Sequence, residues 1–264
     1  MKNNTLIRNI AVLLVVALVC VMTGQIYLKQ LKNDTFYTAN PNITKVLHLS
    51  DYNPNLKGTA NDVEVYVFDS GVPGGKALIY GGTHTNEVGS MLSAVTYLEN
   101  AKCEVGTLYI MVHANNSGYS HTQPLLGQGN KMTFDLADGT TREFRIGTRI
   151  SNPVHQWPDP NYHLNTSKRE LKHEEIAEIR NLNRNHPGEE SGYLTEMTCY
   201  AIRNLINTEN IDFIYDGHEA GGESVRLVNY LVVHENAIPL GSAAVMNCVI
   251  NNLPFKLEIS GQTS

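Results

Sequence analysis

Cysteine and positive charge are both scarce in this chain, and each scarcity excludes a class of protein. The 264 residues contain four cysteines without a CxxC pair, so neither a disulfide framework nor a cysteine-rich metal site is indicated. The formal net charge is −6, the pI is near 5.9 and no basic stripe occurs, which argues against a nucleic-acid partner. The chain has no internal repeat, and 42% of its residues are hydrophobic. The sequence therefore predicts one α/β domain, or one plus an appendage, with a sizeable core.

The N-terminus carries a targeting or anchoring segment. Lys2 and Arg8 precede an apolar run over 10–22, which reaches the roughly 20 residues of a spanning helix only if 23–28 join it. No small-x-small cleavage site follows, so residues 1–28 are predicted to be an uncleaved signal anchor, with a cleaved signal peptide as the alternative. We therefore expect a single-pass membrane protein whose folded part lies outside the cytoplasm, or a secreted protein if the segment is cleaved.

The remainder of the chain divides into a lead-in and a folded domain. Residues 29–61 are polar and rich in asparagine, which predicts a linker, and residues 62–264 form the domain. Strands alternate with helices in that domain, which favours a mostly parallel, doubly wound mixed sheet with helices on both faces. The predicted strands are 63–68, 76–80, 107–112, 211–215, 228–233 and 255–259, and the predicted helices are 88–101, 193–207 and 238–251. A long irregular stretch over 115–187 is typical of a functional segment.

Two histidines and a glutamate follow predicted strands and form a candidate metal site. They belong to the motifs Gly-Gly-Thr-His-Thr-Asn-Glu at 81–87 and Tyr-Asp-Gly-His-Glu at 215–219. His84, Glu87 and His218 supply two imidazoles and a carboxylate, a set that suits one Zn²⁺ with an open fourth position. In open α/β sheets, sites form beyond the carboxyl ends of strands, which is where these residues fall. The alternative is a hydrogen-bonded loop histidine with a glutamate that favours a helix start.

A third motif, Asn-Arg-Asn-His-Pro-Gly at 183–188, is predicted to bind the substrate. Asn183 and Arg184 offer an amide beside a planar cationic fork, which can hold a carboxylate bidentately. The alternative is an ordinary surface arginine before a turn. Asp216 precedes His218 by two residues, so it either accepts a hydrogen bond from that imidazole or caps a turn.

These motifs resemble the succinylglutamate desuccinylase/aspartoacylase family, a branch of the zinc carboxypeptidase superfamily. The resemblance covers residues from about Ala77 onward and includes Gly-Gly-Thr-His-x-Asn-Glu, Asn-Leu-Asn-Arg-Asn-x-Pro-Gly and Asp-x-His-Glu-Ala. It implies a carboxypeptidase-like α/β fold and zinc-dependent hydrolysis. It also implies ligand roles for His84, Glu87 and His218, and carboxylate binding by Asn183 and Arg184.

The resemblance leaves two catalytic roles open. Family members use an arginine to steady the oxyanion. The candidates are Arg145 and Arg149 in the irregular stretch 115–187, which is called the insert below. The superfamily's general-base glutamate follows the third ligand on a late strand, where Glu258 is the only candidate. Because its neighbours do not look like the family's base segment, we expect the base to lie beyond Ser264 in a longer protein. The 264-residue chain would then bind zinc, hydrolyse poorly and leave one flank of its sheet or pocket open.

The sequence therefore predicts a membrane-anchored zinc hydrolase that cleaves an amide bond in a carboxylate-bearing substrate. One alternative is a zinc carboxypeptidase that acts on peptides. A second alternative, from a different class, is a catalytically silent, membrane-anchored binding domain that retains the pocket. A general-base glutamate distinguishes the enzymes from the silent domain, and pocket depth distinguishes a small acyl-amino acid from a peptide.

Overall fold

A computed structural model describes residues 2–30, 37–122, 129–156, 178–219 and 229–260. Helix α1 (Lys2–Gln30) is apolar and its described side chains are exposed. The most apolar stretch of 18 residues within Asn4–Lys29 has a mean hydropathy of 2.5. At about 1.5 Å per residue, the span Asn4–Lys29 exceeds the roughly 30 Å hydrocarbon core of a bilayer. This one helix is therefore long and apolar enough to cross a membrane, a property that it shares with signal sequences.

The compact unit that ends at His218 is built on a five-stranded sheet. Its strands and helices after α1 are β1 (Lys45–His48), β2 (Glu64–Asp69), β3 (Lys76–Tyr80), α2 (Val88–Asn100), β4 (Thr107–Met111), β5 (Lys131–Asp135), β6 (Thr141–Arg145), α3 (Leu194–Glu209) and β7 (Phe213–Asp216). The sheet order is β1-β2-β4-β3-β7, and β5 and β6 form a separate antiparallel hairpin.

The sheet is mixed, as predicted, but it is not mostly parallel. Strand β3 runs parallel to β4 and β7, whereas β2 pairs antiparallel with both β1 and β4. The reason is the connection between β2 and β3, which spans only residues 70–75. A parallel crossover needs about a dozen residues or more, so this short turn forces the chain to reverse. The prediction of a mostly parallel sheet is therefore corrected to two parallel pairings out of four.

Helices cover both faces of this sheet, as predicted. Side chains alternate between the faces of a strand, so neighbouring residues of β4 enter different clusters. Met111 packs in one cluster with Ile202 of α3, and Ile110 packs in the other with Met91 of α2. The β3–α2–β4 unit thereby places α2 on one face and leaves the other to α3.

The lead-in 29–61, predicted to be a linker, is folded in its second half. Strand β1 joins the sheet, and Leu49 and Leu56 are fully buried in the cluster that contains α3. The asparagines that made the segment look like a linker are themselves used in packing. Asn53, for example, is buried and donates from Nδ2 to the backbone oxygens of Glu190 and Met197.

The β5–β6 hairpin lies within the stretch 115–187, which was predicted to be irregular. Arg142 on β6 forms a bidentate ion pair with Glu99 of α2, with N–O distances of 2.7 and 2.9 Å. Glu99 also accepts a hydrogen bond from the backbone nitrogen of Thr38. One carboxylate therefore connects the hairpin, α2 and the lead-in, and its hydrogen bonds offset burial and lower the pKa of Glu99.

Residues 219–264 form a second compact unit. It contains β8 (Tyr230–Val233), α4 (Ile238–Ile250) and β9 (Lys256–Ile259), and the two strands pair in parallel. Gly241 allows α4 to approach the strands closely, because a Cβ there would lie 2.6 Å from a methyl group of Val233. Glu258, the candidate for the late strand glutamate, lies on β9 opposite Val232.

Burial of His113 predicts a pH-dependent stability. The Nδ1 atom of His113 shares a 2.7 Å hydrogen bond with the Tyr37 hydroxyl. Burial lowers the pKa of His113 to about 3. Since an unfolded histidine has a pKa near 6.5, the unfolded chain binds the extra proton at pH values between about 3 and 6.5. Stability is therefore complete above pH 6.5 and falls with acidification.

We expect the free energy of unfolding to fall by about 1.4 kcal/mol per pH unit for this group between pH 6.5 and 4.5. His113→Gln should reduce the slope by about that amount in urea titrations. The exposed His48 provides the control, because His48→Gln should leave the slope unchanged. Equal slopes for wild type and His113→Gln would contradict the prediction.

Candidate metal centre

The candidate ligands leave the sheet at one edge, because β3 and β7 are parallel neighbours that end together. Tyr80, the last residue of β3, pairs with Asp216, the last residue of β7. The chain then approaches the start of α2 closely in both segments. A Cβ at Gly81 would lie 2.3 Å from the Ser90 backbone oxygen, and one at Gly217 would lie 3.2 Å from the Ser90 Cα. Glycine at these two positions therefore permits both segments to pass close to the first turn of α2.

The side chains of His84, Glu87 and His218 lie close together. The Nδ1 atom of His84 lies 2.7 Å from Glu87 Oε1, and the Nδ1 atom of His218 lies 2.9 Å from Glu87 Oε2. One ligand atom from each residue can be chosen so that all lie within 4.8 Å of one another. The two rings meet edge to face, with their centroids 4.8 Å apart. His84 and Glu87 are buried and His218 is partly exposed, so the group is open to solvent on one side.

The other ring nitrogens have oxygen partners of their own. His84 Nε2 donates to Asn181 Oδ1 at 2.9 Å, with Asn183 Oδ1 at 3.2 Å. His218 Nε2 donates to Asp216 Oδ2 at 3.0 Å. Anchoring at Nε2 fixes each ring and directs both Nδ1 atoms at Glu87, which is how outer partners orient metal-bound histidines. Of the two roles open to Asp216, the geometry favours the imidazole partner.

The two imidazoles and the Glu87 carboxylate form a set of groups that a cation fits. All four nitrogens of the two rings face oxygen acceptors, although a neutral imidazole has only one N–H to donate. Burial lowers the pKa of His218, but the hydrogen bonds to Asp216 and Glu87 outweigh it and raise that pKa to about 10. A divalent ion among two Nδ1 atoms and a carboxylate would replace this positive charge. The donor set therefore fits Zn²⁺.

Part of the insert is bonded to the loop that carries His84. Both the backbone nitrogen and the Oγ1 of Thr85 donate to the Thr148 carbonyl, at 3.2 and 2.6 Å, and Gly147 donates to the Thr85 carbonyl at 2.9 Å. Arg149 directly follows this contact. Its guanidinium lies 3.5 Å from Glu178 and its side chain is 39% exposed, whereas Arg145 is buried. Of the two arginines proposed for the oxyanion, Arg149 is the one with solvent access.

Asn183 and Arg184 lie beside the candidate ligands. Asn183 Oδ1 accepts from His84 Nε2 and also from Arg184 Nη1, the latter at 2.9 Å. Arg184 Nε lies 3.7 Å from Glu178, and the arginine side chain is 53% exposed. The same carboxylate therefore contacts Arg149 and Arg184, which places both guanidinium groups near the metal-ligand cluster.

Three residues of this neighbourhood carried no assignment in the sequence. Asn181 bonds His84, Thr83 donates to Asp216 Oδ1 at 2.8 Å, and Glu178 contacts both arginines. The sequence could have indicated Asn181, because it lies two positions before Asn183 and the buried Leu182 separates them. No local pattern distinguishes Glu178 from other insert glutamates. The residues of 157–177 and 220–228 lie outside the described part of the chain.

The fold and the site together define a mixed α/β protein with a candidate metal centre at the carboxyl edge of two parallel strands. No protein-family model and no curated protein matches the chain. Similar solved structures include a succinylglutamate desuccinylase/aspartoacylase from Rhodobacter sphaeroides, with a TM-score of 0.40 and 15% identity over 71% of this chain and 42% of the other. They also include an aspartoacylase family protein from Mesorhizobium loti, with a TM-score of 0.42 and 18% identity over 87% and 57%.

A metallo-carboxypeptidase from Burkholderia cenocepacia is also similar, with a TM-score of 0.45 and 12% identity over 84% of this chain and 50% of the other. The first two belong by name to the family that the sequence motifs resemble. The chain spans about half of the length of these structures.

Proposed function

We propose that this chain is a zinc-dependent hydrolase that cleaves an amide bond in a carboxylate-bearing substrate. The observation that carries the proposal is the convergence of two histidine Nδ1 atoms on Glu87, with both Nε2 atoms anchored elsewhere. Such anchoring leaves a directed set of two nitrogens and one carboxylate for a single ion. His84, Glu87 and His218 would hold one zinc per chain.

Residues of the chain would bind the substrate and stabilise the oxyanion. When bound, zinc polarises a carbonyl and lowers the pKa of water. Arg184 would grip the substrate carboxylate through its planar fork while Asn183 supplies an amide, and together they would orient the scissile bond. Arg149, with Arg145 as the buried alternative, would place a positive charge near the oxyanion. The exposed sides of Arg149 and Arg184 support their access to a substrate.

The general base is the role with the fewest candidates. Glu87, Asp216 and Glu178 are carboxylates at the site, and each already contacts an imidazole or an arginine. We propose that the base is a glutamate outside this set, with Glu258 as the candidate. A base must lie within hydrogen-bond reach of the attacking water.

We also propose that α1 anchors the protein in a membrane as a single pass, with the hydrolase outside the cytoplasm. The support is the apolar length of α1 and its exposed side chains. A secreted form would arise instead if the segment were cleaved. The substrate would then be a small molecule or a peptide with a carboxylate, encountered at the membrane surface.

Metal analysis coupled to hydrolysis assays tests the proposed function. We expect the purified full-length chain in detergent to carry one zinc and to release amine from a panel of N-acyl amino acids. The matched carboxamide derivatives, which lack the carboxylate, should react at least about 100-fold more slowly, because the Arg184 fork then has no partner. Preferential cleavage of C-terminal peptide residues would identify a carboxypeptidase instead.

Two further outcomes decide the remaining roles. Zinc binding without turnover of any substrate would favour the catalytically silent binding domain. Robust turnover that is abolished by Glu258→Gln with zinc retained would identify Glu258 as the base, since removal of a general base costs about 10²–10⁴-fold. A chain that binds no zinc would reject the proposal.

A further inference from the structure

Glu178 lies where the metal-ligand cluster and the arginines meet. Its carboxylate accepts a hydrogen bond from Asn181 Nδ2 at 2.5 Å. The same group lies 3.5 Å from Arg149 Nε and 3.7 Å from Arg184 Nε. The Glu178 side chain is 33% exposed, so solvent reaches it. One carboxylate therefore contacts the partner of a candidate metal ligand, the candidate substrate-binding Arg184 and the oxyanion candidate Arg149.

The contact with Asn181 determines which amide atom faces His84. Asn181 Oδ1 accepts from His84 Nε2, and its Nδ2 donates to Glu178. A carboxamide can rotate by 180°, which would exchange these atoms and present an N–H₂ group to the imidazole. A carboxylate on the other side opposes that rotation, since it would then meet the amide oxygen. Glu178 thus holds Asn181 in the orientation that keeps the His84 ring directed at Glu87.

The contacts with the arginines are longer than those of a bidentate pair. Short N–H···O⁻ bonds in such pairs measure about 2.7–2.9 Å, whereas the separations here are 3.5 and 3.7 Å. Ion pairs this exposed are weak. A substrate carboxylate that forms short bonds to Arg184 would therefore displace Glu178 from it, while the separate hydrogen bond to Asn181 can persist.

Resting on the proposed function, we propose that Glu178 is a positioning residue that couples the metal centre to substrate recognition. It orients His84 through Asn181, and it occupies Arg149 and Arg184 until a substrate carboxylate replaces it. The two roles depend on different properties of the side chain. The first needs a hydrogen-bond acceptor, and the second needs a negative charge, so two substitutions separate them.

The test uses the full-length chain in detergent and the variants Glu178→Gln and Glu178→Ala. Glutamine keeps an oxygen for Asn181 but has no charge, whereas alanine has neither. Zinc Kd is measured by competition with a chromophoric chelator, and succinate Kd is measured by calorimetry on the zinc-loaded protein. The absorption bands of the Co²⁺-loaded chain report the ligand geometry. The exposed Glu143, which pairs with Lys131 on the hairpin, provides the control Glu143→Gln.

We expect Glu178→Gln to bind succinate about 5-fold more tightly, because the competing charge is gone, with a zinc Kd within about 3-fold of wild type. Glu178→Ala should weaken zinc binding about 10-fold or more and shift the Co²⁺ bands, since outer partners of metal ligands contribute on that scale. Glu143→Gln should match wild type in every measurement. Thermal unfolding measures whether each variant is folded. If Glu178→Ala is not folded, succinate binding by Glu178→Gln still tests the proposal.

Two results would overturn the proposal. Unchanged or weaker succinate binding in Glu178→Gln would show that Glu178 does not compete for the arginines. A wild-type zinc Kd and wild-type Co²⁺ bands in Glu178→Ala would show that it does not position His84. Either result in a wild-type chain that binds zinc leaves the proposed function intact. A wild-type chain that binds no zinc rejects the proposed function and this proposal together.

Discussion

Replacing Glu87 with glutamine is expected to weaken zinc binding by more than about 100-fold. The Glu87 carboxylate contacts both Nδ1 atoms, at 2.7 and 2.9 Å, so it lies at the centre of the candidate ligand set. Glutamine has nearly the same size but offers a neutral oxygen in place of an anionic one. The loss should therefore exceed the roughly 10–100-fold that typically follows changes to the outer partners of metal ligands. Competition titration with a chromophoric chelator measures it.

A matched glutamate provides the control for this substitution. Glu104 is 76% exposed and pairs with Lys102, so Glu104→Gln should bind zinc as wild type does. The Glu87→Gln chain should remain folded, because Gly81, Gly217 and the strands that position the site are unchanged. Retention of zinc affinity within about 3-fold in a folded Glu87→Gln chain would exclude Glu87 as a ligand, since even outer partners contribute more than that.

Replacing Arg184 with lysine is expected to lower kcat/KM about 100-fold while zinc occupancy stays unchanged. Lysine keeps the positive charge but loses the planar fork that matches a carboxylate. Arg184 contacts Asn183 and Glu178 rather than any candidate zinc ligand, so the metal should be retained. Initial rates on the most reactive N-acyl amino acid, together with metal analysis, measure both effects.

The same exchange at a distant arginine tests whether the effect is local. Arg203 on α3 lies over the Tyr200 ring, 4.7 Å from its centroid, and Arg203→Lys should leave kcat/KM within about 2-fold of wild type. An Arg184→Lys chain with wild-type kcat/KM on every carboxylate-bearing substrate would remove the recognition role. A variant that loses zinc as well would mean that Arg184 acts through the metal ligands.

The candidate ligands could be predicted from sequence because their signal is local. His84, Glu87 and His218 combine ligand chemistry with glycines at the ends of apolar strands, and parallel pairing of β3 and β7 brings those ends together. Strand β3 was predicted with the observed ends, and the other central strands were predicted to within two residues. Such segments depend on apolar patterning over a few positions, which a sequence displays directly.

Features that depend on distant contacts could not be predicted. Glu178 acquires its importance only when the insert returns to the site, and Asn181 only when it meets His84. The lead-in was predicted to be a linker because it is rich in asparagine. Some of these asparagines, such as Asn53, are buried and hydrogen-bonded, which composition alone does not show. The antiparallel pairings of β2 follow from the short turn between β2 and β3, and the pattern of strands alone does not show that this turn reverses the chain.

The sequence separation within the candidate site has a consequence for folding. His84 meets Asn181 across 97 positions, and Glu87 meets His218 across 131. Contacts between such distant positions form late, because the chain must first close large loops. High-affinity zinc binding should therefore report completed native topology, and the ion should not nucleate folding as it does in small metal-dependent domains. In a refolding experiment, tight zinc uptake should follow the burial of α2 and α3 against the sheet.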